Sequence, residues 1–135
     1  MKYRFEILPH PADLKIKAFG ETKEELFLNM MFGMISSLEA EQGKENAERE
    51  IEVSGENLEN LLINFLSRVL YLIQVNKEAY KDIEFIEFHD KRIRARLLGK
   101  KAEGFRQDIK AVTYYDLEIK EKEDKTFEAV VVFDI

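Results

Sequence analysis

The sequence predicts an α+β domain, two helices packed on an antiparallel or mixed β-sheet, and three features carry that expectation. Two segments set their large apolar residues three and four apart, the period of one helix face. The other apolar segments alternate, the period of a strand with one covered side. The connections are mostly short and polar, as between antiparallel neighbours. At 135 residues, 45% of them hydrophobic, the chain fits a single domain, 1–135, whose core needs no covalent staples.

Taken in order, Tyr3, Phe5 and Ile7 alternate before Pro9-His10-Pro11-Ala12-Asp13, and Leu14, Ile16 and Ala18 alternate after it. Each proline fixes its own φ and pushes the preceding residue out of the helical region. A stiff turn therefore joins two strands, and Asp13 opens the second on the opposite parity from Leu14. Gly20 ends that strand. Thr22-Lys23-Glu24-Glu25 reads as a capping box, after which Leu26, Phe27, Met30, Met31, Met34, Ile35 and Leu38 share one helix face. The methionines suit either a core or an adaptable groove, and core is the reading adopted. Glu39 to Glu50 is almost wholly polar and reads as a solvated loop or frayed helix end.

Ile51 and Val53 mark a short strand, and Leu58, Leu61, Leu62, Phe65, Leu66, Val69, Leu70 and Ile73 form the second helix face. Val75 to Lys81 reads as a connection. A hairpin of Ile83–Phe88 and Arg92–Leu98 follows, joined through His89-Asp90-Lys91. Lys100 to Arg106, with Gly99 before it and Gly104 inside it, reads as a mobile loop. Asp108 to Lys120, broken near Asp116, and Phe127 to Ile135 complete the order β-β-α-β-α-β-β-β-β. A helix followed by strands occurs twice, which suggests a structural duplication, although no residue-level repeat is read.

Composition narrows the chemistry. Without cysteine there is no disulfide, zinc thiolate or thiol nucleophile, so any metal must bind through oxygen or histidine. A net charge of −6 argues against wholesale nucleic-acid binding and leaves room for a local basic face. The N-terminus has no apolar signal region and no uninterrupted apolar run approaches a membrane span, so a soluble, cytoplasmic protein with no membrane partner is expected. P-loop, dinucleotide, nucleophile-elbow and zinc-protease signatures are missing.

Three segments hold candidate chemistry. Pro9 to Asp13 gathers both prolines, one of two histidines and a carboxylate, either to finish turn hydrogen bonds or to form a site. The last strand places Asp134 beside the terminal carboxylate of Ile135, and two close anions favour a cation there unless the end is frayed. In Lys110-Ala111-Val112-Thr113-Tyr114-Tyr115, parity puts Lys110, Val112 and Tyr114 on one side, with Lys110 seeking a carboxylate or reaching solvent. A basic stretch adds Arg92, Arg94 and Arg96 on one strand face, near Lys100 and Lys101. That face is a candidate for RNA or an acidic partner, or a charged guard against sheet aggregation.

With these segments in this order, the sequence resembles the archease family. The resemblance rests on His10-Pro11-Ala12-Asp13, Glu24-Glu25-Leu26-Phe27, Glu59-Asn60-Leu61-Leu62 running to Leu70-Tyr71-Leu72, Lys110-Ala111-Val112-Thr113-Tyr114 and Val132-Phe133-Asp134-Ile135. It implies a duplicated strand-helix-strand-strand module. It also implies a non-enzymatic, cytoplasmic accessory protein of RtcB, the tRNA-splicing ligase that joins 3′-phosphate to 5′-hydroxyl RNA ends. Archeases promote guanylylation and multiple turnover of that ligase with a divalent ion. Carried over by position, Asp13, Asp134 and the Ile135 carboxylate would be metal ligands, with His10, Lys110 and Tyr114 as flanking functional residues. An all-oxygen set suits Ca²⁺, Mg²⁺ or Mn²⁺. The family usually has Thr where this chain has Pro11 and His where it has Tyr115, so an imidazole role at the second position does not transfer. The remaining readings are an RNA-binding adaptor using the arginine strand and a metal-independent interaction module.

Overall fold

The computed structural model describes residues 4–9 and 12–135. The described elements are β1 (Phe5–Leu8), β2 (Leu14–Gly20), α1 (Lys23–Leu38), β3 (Ala40–Ser54), α2 (Leu58–Asn76), β4 (Glu78–His89), β5 (Arg92–Phe105), β6 (Ala111–Glu121) and β7 (Phe127–Asp134). This is the α+β order expected. The chain divides into two compact units, one made of the residues up to Met34 with Ile109–Ile135, the other of Ile35–Asp108.

In the first unit the antiparallel sheet runs β1-β2-β7-β6. Ile16 stands opposite Val131 and Ala18 opposite Ala129. These four and Phe133 are buried, as are Leu26, Phe27, Met30, Met31 and Met34 on α1, so the methionine stripe is core. Gly33 lets the helix approach the sheet, because a Cβ there would press on Ile16 and the Phe5 ring. Ile7, expected on a covered face, is 54% exposed. β1 is a four-residue edge strand, and of its residues Phe5 is the one that reaches Gly33. Tyr3, His10 and Pro11 lie outside the described residues.

In the second unit the antiparallel order is β3-β5-β4. Leu61, Leu62, Phe65, Leu66, Val69, Leu70 and Ile73 of α2 are buried, with Ile51, Val53, Ile93, Ala95 and Leu97. By length and composition α2 would also pass as a membrane span, yet its apolar stripe is part of this core.

Three expectations fail here. Glu39–Glu50 is mostly strand: β3 runs fifteen residues, with Ala47, Ile51 and Val53 buried and Glu48, Glu50 and Glu52 exposed. The ladder to β5 supplies what its few apolar residues do not. Val75–Lys81 is no connection, since α2 continues to Asn76 and Lys77 alone, left-handed at φ 55°, turns the chain into β4. Lys100–Arg106 is no mobile loop but largely the end of β5, where Gly99 admits the β4 backbone because a Cβ would collide with Ala79 and Tyr80.

The duplication is present in both topology and sequence. Omitting β1, each unit reads strand-helix-strand-strand, with the last strand between the other two, as β2-β7-β6 and β3-β5-β4. The second unit is inserted between α1 and β6. Contrary to the sequence reading, a residue-level repeat does exist: Gly20-Glu21-Thr22-x-Glu24-x-Leu26 matches Gly55-Glu56-Asn57-x-Glu59-x-Leu61. Thr22 Oγ1 accepts from the Glu25 amide at 3.1 Å, and Asn57 Oδ1 from the Asn60 amide at 2.8 Å. One turn on, Asn29 Nδ2 donates to the Phe19 carbonyl and Asn64 Nδ2 to the Ser54 carbonyl. Each helix start is thus pinned to the end of the strand before it. Thr and Asn do the same capping work at equivalent positions of the repeat.

Candidate metal and partner site

β7 is an interior strand, so its C-terminal end has neighbours on both sides. Leu14 pairs with Phe133 on one side, where the ladder ends, so Asp13 and Asp134 each directly adjoin a residue of that last pair. On the other side Ala111 pairs with Asp134, and the Lys110 amide donates to the Asp134 carbonyl at 2.7 Å. Facing positions on adjacent strands stand roughly 5 Å apart at Cβ. The segments that carry Asp13, Lys110 and Asp134 thus flank one another at one end of this sheet. Asp13 is half-buried, while Asp134, Ile135 and Lys110 are exposed. Asp134 closes β7 rather than fraying from it.

Among the described residues no three His, Asp or Glu side chains gather as a metal cage. Asp13 and Asp134, expected from the resemblance as metal ligands, offer oxygen donors only. Such a set fits a hard divalent ion that keeps several waters or takes ligands from a partner. His10 lies outside the described residues.

The regular pairing that carries the parity of Lys110 and Val112 stops at Thr113, just before Tyr114. β6 leaves the ladder between Thr113 and Glu118, and Tyr114 and Tyr115 are 55% and 63% exposed on the resulting bulge. Its base is fixed by Thr113 Oγ1, which donates to the Val132 carbonyl at 2.8 Å and accepts from the Tyr115 amide. Asp116, left-handed at φ 53°, ends the bulge, with Lys15 Nζ at 3.9 Å from its carboxylate.

Arg92, Arg94 and Arg96 do share the outward face of β5, opposite the buried Ile93, Ala95 and Leu97. They are flanked by carboxylates. Arg92 pairs with Glu52 at 2.6 Å, and Arg96 reaches both Glu48 at 3.8 Å and Glu84 at 3.6 Å. Arg94 stands between Glu52 and Glu87 in the ladder. The face is a stripe of mixed sign, and phosphates would have to compete with carboxylates already in place.

Sequence reasoning missed the most strongly paired charge. Glu78, 1% exposed, accepts two bonds from the Arg49 guanidinium at 2.9 and 2.7 Å and one from the Tyr80 hydroxyl at 2.7 Å. Lys101 Nζ lies 3.9 Å away. The Arg49 hydrogen bonds hold the Glu78 carboxyl below its ordinary range against the opposing effect of burial. Burial, then the bond to Glu78, pushes the Tyr80 hydroxyl well up. No local pattern marks this group, because Arg49 sits on β3 and its partners on β4 and β5.

The chain's relatives bear on what this arrangement is for. The sequence model of the Archease protein family matches residues 5–135. A protein archease of Methanosarcina mazei is 37% identical, with 98% of this chain and 96% of the relative covered. A protein archease of Pyrococcus abyssi is 33% identical, with 98% and 99% covered. The solution structure of Methanobacterium thermoautotrophicum protein 1598 is similar with a TM-score of 0.74 at 25% identity, covering 99% of this chain and 100% of that one. The crystal structure of a Thermotoga maritima archease, described as a possible chaperone, shares the fold with a TM-score of 0.67 at 23% identity, covering 96% of each chain.

Proposed function

The chain belongs to the archease family, and from that premise we propose that it is a metal-dependent accessory protein, chaperone-like rather than catalytic, acting on a 3′-phosphate/5′-hydroxyl RNA ligase. The observation that supports this reading is the register at the end of β7, which gathers Asp13, Asp134 and Lys110 from distant parts of the sequence. Asp13, Asp134 and the terminal carboxylate would hold Ca²⁺, Mg²⁺ or Mn²⁺, which supplies a compact positive charge for phosphate or for a partner's carboxylates. Lys110 adds a cation beside Ile135. Tyr114, on the pinned bulge, presents an amphipathic ring suited to a protein interface. The ion's open positions would be completed by the ligase, so that this chain sets the geometry of guanylylation without performing it.

The test uses purified ligase, GTP and RNA ends, with and without this protein. Asp13→Ala and Asp134→Ala should each abolish stimulation while thermal unfolding stays near that of the parent, since neither aspartate belongs to the core. Full stimulation by both variants would sink the metal reading.

A further inference from the structure

The sheet of the second unit has a cavity of about 600 Å³ past its arginine row, lined by residues of all three strands. Two irregularities make room for it. β3 leaves its ladder to β5 between Gln42 and Asn46, and β4 carries Lys81 as an extra residue between Tyr80 and Asp82, which pair with Gly99 and Leu98. Such bulges interrupt a ladder and re-aim the side chains beside them. The register sets Asn46 opposite Lys100, and it sets Glu48 and Asp82 opposite Leu98 from its two sides. Alternate positions of a strand share a face, so Leu98 and Lys100 stand on the side of Arg94 and Arg96, away from the buried Leu97. Asn46, Glu48, Lys81, Asp82, Leu98 and Lys100 all line the cavity.

The charges here are unequally committed. Glu48 reaches Arg96 at 3.8 Å, and Asp82 Oδ1 accepts from the Ile83 amide at 2.8 Å. Lys81 and Lys100 have no ion-pair partner among the described residues, whereas the neighbouring Lys101 lies 3.9 Å from Glu78. Lys81 is exposed and Lys100 half-buried. The repeat gives the reason for the difference between the units. Lys81 precedes Asp82, which pairs with Leu98, as Lys110 precedes Ala111, which pairs with Asp134. Where the central strand of the first unit carries a carboxylate, that of the second carries a leucine and, two residues on, a further lysine. The lysine common to both units therefore lies beside an acidic position in one and an apolar position in the other.

Two uncommitted ammonium groups and the Asn46 amide favour an anion. A phosphate monoester carries between one and two charges and three acceptor oxygens, and so matches a pair of lysines better than a carboxylate does. The volume is that of a small-molecule site rather than of one phosphate, and Leu98 with Gly99 gives it an apolar floor. We propose that this cavity binds the phosphate monoester of a nucleotide, with Lys81 and Lys100 holding the phosphate and the nucleoside lying over Leu98 and Gly99. The site is made by the second unit alone and needs neither Asp13 nor Asp134.

The test is calorimetric and NMR titration of the intact protein with adenosine 5′-monophosphate in EDTA, so that its outcome does not depend on the metal reading. Saturable one-site binding is expected, with shifts at Asn46, Leu98, Gly99 and Lys100, and no binding of adenosine. Lys81→Gln with Lys100→Gln should weaken it about tenfold or more, which is about 1.4 kcal/mol. Lys81→Gln alone, at an exposed position, should weaken it several-fold and decides the matter if the double variant does not fold. Glu48→Gln, which removes a nearby negative charge, should tighten it. A short RNA with a 3′-phosphate separates the sources. Affinity above that of the mononucleotide, lost when the RNA ends in a 3′-hydroxyl, assigns the phosphate to an RNA end, and equal or lower affinity assigns it to a free nucleotide. No saturation by either probe in the millimolar range, equal binding of adenosine, affinity unchanged by the lysine variants, or shifts confined to Arg92–Arg96 would overturn the proposal.

Discussion

Glu78 shows what one residue can contribute when its partners come from three strands. A carboxylate removed from water is tolerated only if its charge is met, and here Arg49, Tyr80 and Lys101 meet it. Arg49→Met strands that carboxylate. The expected outcome is a loss of stability, softened because Arg49 is partly exposed and Tyr80 and Lys101 remain. A lower urea midpoint at unchanged slope would show it. The sign of the pH effect follows from the lowered Glu78 pKa. Its stabilisation is present above the ordinary glutamate value of 4.5 and is lost as pH falls through the lowered one. Arg49→Met removes the main cause of that lowering, so the variant's deficit in stability should be largest near neutral pH and shrink as pH falls below 4.5, read from urea midpoints measured by circular dichroism at several pH values.

Elements in this chain end in an unusual way. Among the described residues the left-handed positions are Glu39, Lys77, Asp116 and Lys125, and no glycine has positive φ. The glycines instead mark close approaches, as at Gly33 and Gly99. Reading glycine as a turn signal therefore converted the end of β5 into a loop, and the absence of glycine at Lys77 hid a one-residue turn. Two substitutions separate these roles. Lys77→Gly relieves a left-handed β-carbon and should stabilise by about 1 kcal/mol. Gly99→Ala forces a β-carbon into the β4 backbone and should destabilise by about 3 kcal/mol or more, read as a fall in Tm. The strand nature of β3 has its own readout: amide exchange should be slow at alternate residues from Ala47 to Val53 and fast throughout if the segment were a loop.

For the molecule as a whole, the duplicated module is asymmetric where function is proposed. By the repeat, Glu48, Leu98 and Asp82 in the second unit occupy the places of Asp13, Asp134 and Ala111 in the first. The central carboxylate is a leucine there, so the second unit cannot copy the arrangement. It carries instead the Arg49 and Glu78 pair and the mixed-charge face of β5. If that face is a solvated guard, changing Arg92, Arg94 and Arg96 together to Gln should leave ligase stimulation within about twofold, whereas an RNA-binding face would lose stimulation and a salt slope of roughly one per phosphate contact. A chelator should remove stimulation altogether, and activity that survives EDTA would favour a metal-independent interaction module.

The sequence by itself determined the α+β class, both helices with their buried faces, the cap of the first, and the order of elements along the chain. These follow from periodicity and local capping, which act over a few residues and are written in the chain. It also marked Asp13, Asp134 and Lys110, each on chemistry that stayed ambiguous alone. Only the tertiary structure decided that Lys110 bonds the Asp134 backbone and that Leu14, next to Asp13, pairs with Phe133, next to Asp134, because these relations come from the β2-β7-β6 register. The same holds for Glu78, whose Arg49 and Lys101 partners lie on other strands, and for β3, whose polar residues form a strand because β5 supplies the hydrogen bonds. Register and cross-strand pairing join residues far apart in sequence, and no local pattern of side chains encodes them.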